Sequence, residues 1–478
     1  MKKVLLFVAG LLVCTSAGAA NKVLDPTLYD EIDGIKIESV FMHDRFHDRA
    51  AFESDQDLCL NNYARTAALK DGIIYIAHST TDFIVVAPGD TVKSVGRIYR
   101  INANTGEKLT PLEVTLNGRP YGGLLCINQI GIDNFGHFWI MPYTSQAEEA
   151  RKIPFFSLDE NTGELTMFAE LDKGPNYARV DYCDIVGDIT LEEAQCNILA
   201  PGSSSDMVFG WHNEQGGDAS TWEGFFEGVT GLKFQQFHPA EAAGWSYAPS
   251  CTFVLGSDPD DPDGLYRGDL FYIDGFNLYP ALYDFEGNLI DHFGNAAADI
   301  AEDKLLAGDA GANGIREFTL EGHHFIAYPE GQYDNGHTCQ INIVELGEGD
   351  AFEGMKRWWT LPADGLGNVS DQGTRIHCIN YENITEGGQD AILLLDYKNF
   401  NGLAVYKIGR GVTATGQPEQ PHILGDVNND TVVNTGDVSA TYGVILNGDD
   451  NPYADVNEDG VVNTGDISAI YGIILGGN

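Results

Sequence analysis

Basic residues are scarce in this chain: 27 Lys and Arg stand against 71 Asp and Glu, a formal charge of −44. Such a surface repels phosphate backbones and anionic membranes, so nucleic acid is not expected as a partner. No Lys or Arg occurs after Arg410. Cysteines are few and scattered, with no CxxC pair, which excludes a zinc ribbon or a small disulfide scaffold. Cys59, Cys126, Cys183, Cys196, Cys251, Cys339 and Cys378 read mostly as buried thiols, with Cys183–Cys196 the nearest pair for a bridge. Beyond the N-terminus no apolar run reaches the roughly 18 to 20 residues that cross a bilayer, so no transmembrane segment is expected. Nucleophile-elbow, HExxH, phosphate-loop and dinucleotide signatures are all missing.

What is present begins with an address. Lys2 and Lys3 precede the apolar run Val4–Val13, and small residues at Ala17-Gly-Ala19 lead to Asn21. Residues 1–20 therefore read as a signal peptide, and the protein as secreted, whether extracellular, periplasmic or at the cell surface. Val13 is too bulky for a lipoprotein box, so anchoring through Cys14 is not expected.

The last fifty residues write one calcium loop twice. Asp426, Asn428, Asp430, the Val432 carbonyl, Asn434 and Asp437 occupy positions 1, 3, 5, 7, 9 and 12 of a twelve-residue loop. Asp455, Asn457, Asp459, the Val461 carbonyl, Asn463 and Asp466 repeat them 29 residues later. Calcium is a hard cation wanting six to eight oxygens, which is what this spacing supplies. The copies agree at 17 of 23 positions between Asp426–Gly448 and Asp455–Gly477. Position 6 holds Thr431 in the first copy and Gly460 in the second, which makes the first the weaker site. With Asp at position 12 and one helix after each loop, residues 426–475 resemble a type I dockerin. That resemblance implies two Ca²⁺ ions and a cohesin-like protein partner. Dockerins contact cohesin through hydroxyls at positions 10 and 11 and basic residues on the next helix. Here those positions are Thr435-Gly436 and Thr464-Gly465, suited to a pseudo-symmetric face, and the basic residues are missing.

From Asn21 to Gly409 the chain reads as strand after strand, broken by Gly, Asn and Asp. A turn residue precedes a strongly apolar strand at Gly72, Gly136, Asp206, Asp269, Gly322 and Asp390, at intervals of 64, 70, 63, 53 and 68 residues. Turns such as Asn104-Thr-Gly-Glu107 and Asn161-Thr-Gly-Glu164 recur between further strands. The predicted fold is mainly β, a six-bladed (five to seven) β-propeller over residues 21–409. A β-sandwich pair is the alternative, although sandwiches repeat less evenly. Ile35–Phe41 would add a strand to the last blade and close the ring. Residues 410–421 form a linker by composition, and 422–478 a small α-helical, dockerin-like calcium module.

Chemistry in the propeller is harder to place. His43 and His47, four apart, would bind a metal on a helix; a solvated closure segment is the competing reading. Four carboxylates at Asp258–Asp263 offer a third calcium site or a proline-forced turn. Trp139 and Trp211 lie in repeat strands and read as core. Arg65, Arg316 and Arg375 fall early in three first strands, which line a propeller's channel, and would form a site for carboxylated or sulfated sugars. The expected function is binding of an extracellular polysaccharide or glycoprotein in polysaccharide breakdown. A glycoside hydrolase or polysaccharide lyase on the propeller face, and a structural surface protein with a calcium-stapled tail, are the alternatives.

Overall fold

A computed structural model describes residues 24–25, 31–55, 57, 64–175, 177–234, 248–256, 269–275, 278–292, 314–329, 339–348, 352–369, 377–412, 424–425, 427, 433–447, 454–457 and 461–476. The chain gathers into two compact units, Met1–Ala414 and Thr415–Asn478. Among the described residues no helix is long and apolar enough to cross a membrane.

The first unit is a six-bladed β-propeller. Blade 1 runs Ala64–Lys70, Ile73–Ser79, Gly96–Asn102 and Lys108–Glu113, each strand antiparallel to the one before. The innermost strands of blades 2 to 6 are Gln129–Ile132, Asp184–Gly187, Ser250–Phe253, Arg316–Leu320 and Cys378–Glu386. The expected closing strand is present: Ile35–Asp44 pairs with Gly402–Gly409 as the fourth strand of blade 6. Its Ile35, Ile37 and Met42 enter the apolar layer between blades 5 and 6, and Val40 and Phe41 the layer between blades 6 and 1. Alternation of faces along the strand, with its phase shifted by the bulge between Ser39 and Phe41, makes this double contact possible.

Turn chemistry explains why the repeat was visible. Asp71-Gly72 and Glu321-Gly322 carry positive φ at both residues, the two-residue hairpin that follows the natural twist of its strands. In the outer hairpins Asn102 Oδ1 accepts from the N–H groups of Asn104 and Thr105, and Asp159 Oδ1 does the same for Asn161 and Thr162. One marker sat a strand late: Asp206 precedes Met207–Asn213, which is the third strand of blade 3, behind Asp184–Gly187 and Cys196–Ser203. Cys196–Ser203 contains Pro201 and Gly202 and is the less strand-like of the two in sequence. Between the first two strands lies an insertion held by Asp188, whose carboxylate accepts from the backbone of Thr190, Glu192 and Glu193.

Side chains lock neighbouring inner strands together at five of the six junctions among the described residues. Thr66 Oγ1 accepts from the Ile130 N–H at 3.0 Å, and Gln129 brackets Cys183 with 2.8 Å bonds to its N–H and carbonyl. Asp184 accepts from the Phe253 N–H, Glu317 from the Leu255 N–H, and Glu382 from the N–H groups of Asp71 and Gly72. Cys378 Sγ lies 3.2 Å from the Ala67 carbonyl. The six described cysteines past residue 100 are all free thiols, five of them buried, whereas Cys59 lies outside the described residues.

A buried acid sits in the same ring. Asp274 is fully buried, accepts a 2.5 Å bond with Ser250 Oγ and faces the Gly314 N–H. Burial pushes its pKa up to about 8, against the hydrogen bonds and the Arg316 charge, which lower it. The folded state thus keeps a proton that the unfolded chain releases near pH 4. Stability from this group is complete below about pH 4 and is lost as pH rises through 8. Asp274→Asn, neutral at every pH, should melt above the wild type at pH 8 by on the order of a few kcal/mol, with the gap closing by pH 5. Thermal melts across that range check it, and a pH-independent gap would contradict the assignment.

The second unit is built on two helices, Thr435–Asn447 and Thr464–Ile474. Val438, Ile467 and Ile470 pack with Val427, Ala454 and Val456 into a small core.

Candidate functional site

In the second unit each helix starts at position 10 of a loop and takes in its last three residues, so loop closure and helix capping are one event. Asn463 caps the second helix, its Oδ1 accepting from the Gly465 N–H at 2.7 Å, while Asp466 accepts from the Asn463 N–H at 2.8 Å. Asp466 also accepts from the Asn457 N–H at 3.1 Å, tying position 12 of the loop to position 3. The first helix repeats this: Asp437 accepts from the Asn434 N–H at 2.8 Å, and Asn434 Oδ1 from the Gly436 N–H at 2.6 Å.

Asp437 and Asp466 are both wholly buried. Burying a carboxylate is expensive unless a cation meets it, and this part of the chain has no Lys or Arg. The donor set of carboxylates, carboxamides and a carbonyl suits a hard divalent ion. Asn434, Asp437, Asp455, Asn457, Val461, Asn463 and Asp466 are the ligand candidates within the described residues; Asp426, Asn428, Asp430, Val432 and Asp459 lie outside them.

The propeller offers a second place for chemistry. Its inner strands close the channel to a void of about 30 Å³, room for about one water, lined by Thr66, Gln129, Tyr182, Ser250, Arg316 and His377. Below it, on the face carrying the hairpins between first and second strands, the channel widens to a cavity of about 380 Å³. Lys70, Asp184, Arg316, Tyr381, Glu382 and Asn383 line this mouth. The volume falls within the range of small-ligand sites.

Arg316 therefore stands between void and mouth, its Nη1 bonded to Asp184 at 3.1 Å. Arg65 is held elsewhere, by Asn128 at 3.3 Å and Asp181 at 3.4 Å, and Asp181 is gripped again by Arg179. Arg375 lies outside the described residues, as does Asp258–Asp263. The structure thus places one of the three arginines at a cavity mouth. Lys70, Tyr381 and Asn383 were not singled out in the sequence, because the strand ends that bring them together are far apart along the chain.

The histidine pair is a clamp. His43 lies between Asp48 and Asp55, and His47 between Asp44 and Asp364. Burial lowers both pKa values, but hydrogen bonds and the charges of those carboxylates outweigh it and raise each to about 9. Protonated rings cannot ligate a metal, so the two residues fasten the segment that follows the closing strand. Asp133, His137 and Asp188 also come together, yet both carboxylates already accept backbone N–H groups, from His137 and Ile189 and from Glu192 and Glu193. Trp139, Trp211, Trp358 and Trp359 are buried, leaving none of the four as a sugar platform.

A six-bladed propeller joined to a duplicated loop-and-helix module defines a modular protein of the dockerin-bearing kind. Residues 424–475 match the model of the dockerin type I domain, and this segment is a type I dockerin. Such modules are calcium-binding, dock on cohesin partners and serve cellulosome-type extracellular assembly. No curated protein matches the chain in sequence. Among solved structures, a DUF4623 family protein from Bacteroides eggerthii aligns at TM-score 0.54 and 11% identity, covering 81% of this chain and 77% of that one. The α-L-arabinofuranosidase arb93a of Fusarium graminearum aligns at 0.35 and 9%, covering 72% and 92%. The GH43 protein BlXynB of Bacillus licheniformis aligns at 0.31 and 10%, covering 58% and 51%. At these identities the first likeness is one of fold, and the other two carry no argument.

Proposed function

We propose that the protein is exported through residues 1–20 and works outside the cell as one component of a larger assembly. A linker at 410–421 joins the propeller, 21–409, to the dockerin module, 422–478, which loads two calcium ions and docks on a cohesin-type partner. The propeller binds an extracellular polysaccharide or glycoprotein in the service of polysaccharide breakdown. The dockerin match carries this reading, because an assembly module is of use to a protein whose other half engages the same substrate as its neighbours.

Arg316 at the turn-face mouth is the group best placed for ligand, with Tyr381 and Asn383 beside it and Lys70, bonded to Glu160 at 2.9 Å, as a second cation. Two cations favour a carboxylated or sulfated sugar through charge-assisted hydrogen bonds. Arg65, committed to Asp181, supports the fold in this reading. Binding is preferred over hydrolysis because the mouth's four carboxylates are occupied: Asp184 by Arg316 and the Phe253 N–H, Glu382 by two N–H groups, Asp133 by the His137 and Ile189 N–H groups, and Glu317 by the Leu255 N–H and His324. A hydrolase needs one such acid protonated and free to donate.

A glycan array with the full chain in calcium tests the proposal. Retention of uronic-acid or sulfated glycans, weakened by salt and by Arg316→Gln, supports it. No retention of any glycan refutes it, and release of new sugar ends would replace binder by enzyme.

A further inference from the structure

Beside the channel mouth lies a second cavity, built mainly by blade 2. In an antiparallel blade the turn between the third and fourth strands falls on the same face as the turn between the first and second. Turns 133–137 and 159–163 of blade 2 therefore both stand on the face that carries the mouth. Thr190 joins them from the insertion in blade 3, where its N–H at 2.8 Å and its hydroxyl at 2.7 Å both bond Asp188. The cavity they border has a volume of about 460 Å³, with His137, Ser157, Asn161, Thr166 and Thr190 in its lining. Lys70 and Gly136 line both this outer cavity and the mouth, so the two adjoin. Each is large enough for a small ligand, and a linear chain could lie across both.

The two cavities differ in where their acids sit. In the mouth the Asp133 and Glu317 side chains have no exposed surface, which leaves Arg316 as the charge facing a ligand. In the outer cavity Asp159 is exposed and the Glu160 side chain is 35% exposed. The Lys70 ammonium at the junction is already bonded to Glu160 at 2.9 Å and lies 5.1 Å from the centre of the Phe138 ring. The N–H groups of Asn161 and Thr162 hold the Asp159 carboxyl below its usual range, and the Thr115 hydroxyl does the same for Glu164, so both stay ionised. An acidic sugar is repelled from such a surface. Neutral hydroxyls can donate to its carboxylates and accept from the Asn161 amide.

We infer that mouth and outer cavity form one groove for a mixed glycan chain, with an acidic unit seated at Arg316 and the uncharged units joined to it lying over blade 2. This rests on the glycan reading of the mouth and specifies the neighbours of the acidic unit. A polymer made only of acidic units would bring its second charge against Asp159, Glu160 and Glu164 and gain nothing from its length. The insertion in blade 3 then has a use, since it carries Thr190 to the groove's far wall.

The test titrates the full chain, in calcium, with three probes built on a uronic acid and, in parallel, on a sulfated hexose. They are the free acidic sugar, the same sugar joined at either end to a neutral trisaccharide, and a tetramer of the acidic sugar. The mixed chain should bind at least ~10-fold tighter than the free sugar, and the acidic tetramer no more than about twofold tighter. Thr166→Trp, at an exposed position on the fourth strand of blade 2, should fill the outer cavity, cancel the gain of the mixed chain and leave the free sugar's affinity unchanged. Arg316→Gln should weaken all three probes. A mixed chain that binds no tighter than the free sugar, an acidic tetramer that gains as much, or a gain that survives Thr166→Trp overturns the inference while leaving the mouth reading standing. Failure of every probe to bind removes the mouth reading and this inference together.

Discussion

Removing calcium should unfold the dockerin module and leave the propeller standing. Asp437 and Asp466 are buried in a segment without a single Lys or Arg, and the sequence puts two further aspartates in each loop. Without a cation these charges repel one another around a core of about half a dozen buried side chains. A module this small does not fold on hydrophobic burial alone, so the free energy of metal binding is its folding free energy. Calorimetry of the full chain should show two transitions, and EGTA should abolish the smaller while moving the larger by no more than a degree or so. The smaller one should climb with free calcium by about 4 kcal/mol at a thousandfold excess over the dissociation constant. Two transitions that ignore the chelator would show that the loops are held by something else.

A chain beginning at Asp48 should fail to form a propeller at all. The missing strand, Ile35–Asp44, supplies Ile35, Ile37, Val40, Phe41 and Met42 to the apolar layers on both faces of blade 6. At roughly 2 kcal/mol for each buried side chain the loss is on the order of 10 kcal/mol, comparable to the whole stability of a typical domain. It also bares the edge of Gly402–Gly409, a row of unpaired backbone groups ready to recruit another chain. The expected product is aggregated and melts without a cooperative step. A soluble, cooperatively melting truncation would mean that the ring closes without its fourth strand.

Much of this architecture could be read in advance because its signals are local. Hairpin turns such as Asp71-Gly72 and the paired Asn-Thr-Gly-Glu corners announce themselves within four residues, and so does a calcium loop with ligands at fixed offsets. The Asp206 marker falls one strand late in blade 3 for a local reason too, since Cys196–Ser203 carries a proline and a glycine. The mouth was not legible. Lys70, Arg316, Tyr381 and Asn383 come from three blades and meet only when the ring is closed. Arg65 looked like Arg316 in sequence, and only the position of Asp181 separates their roles.

The closing strand has a bearing on how the protein is made. Residue 36 must wait for residue 409 before the ring can seal, so the earliest strand out of the ribosome is among the last to find its place. The docking module follows that point in the chain. A polypeptide cut short anywhere inside the propeller therefore lacks Gly402–Gly409, the strand its closing strand must pair with, and the dockerin module as well. In the assembly proposed above, the segment that seals the ring is therefore made before the segment that would attach it.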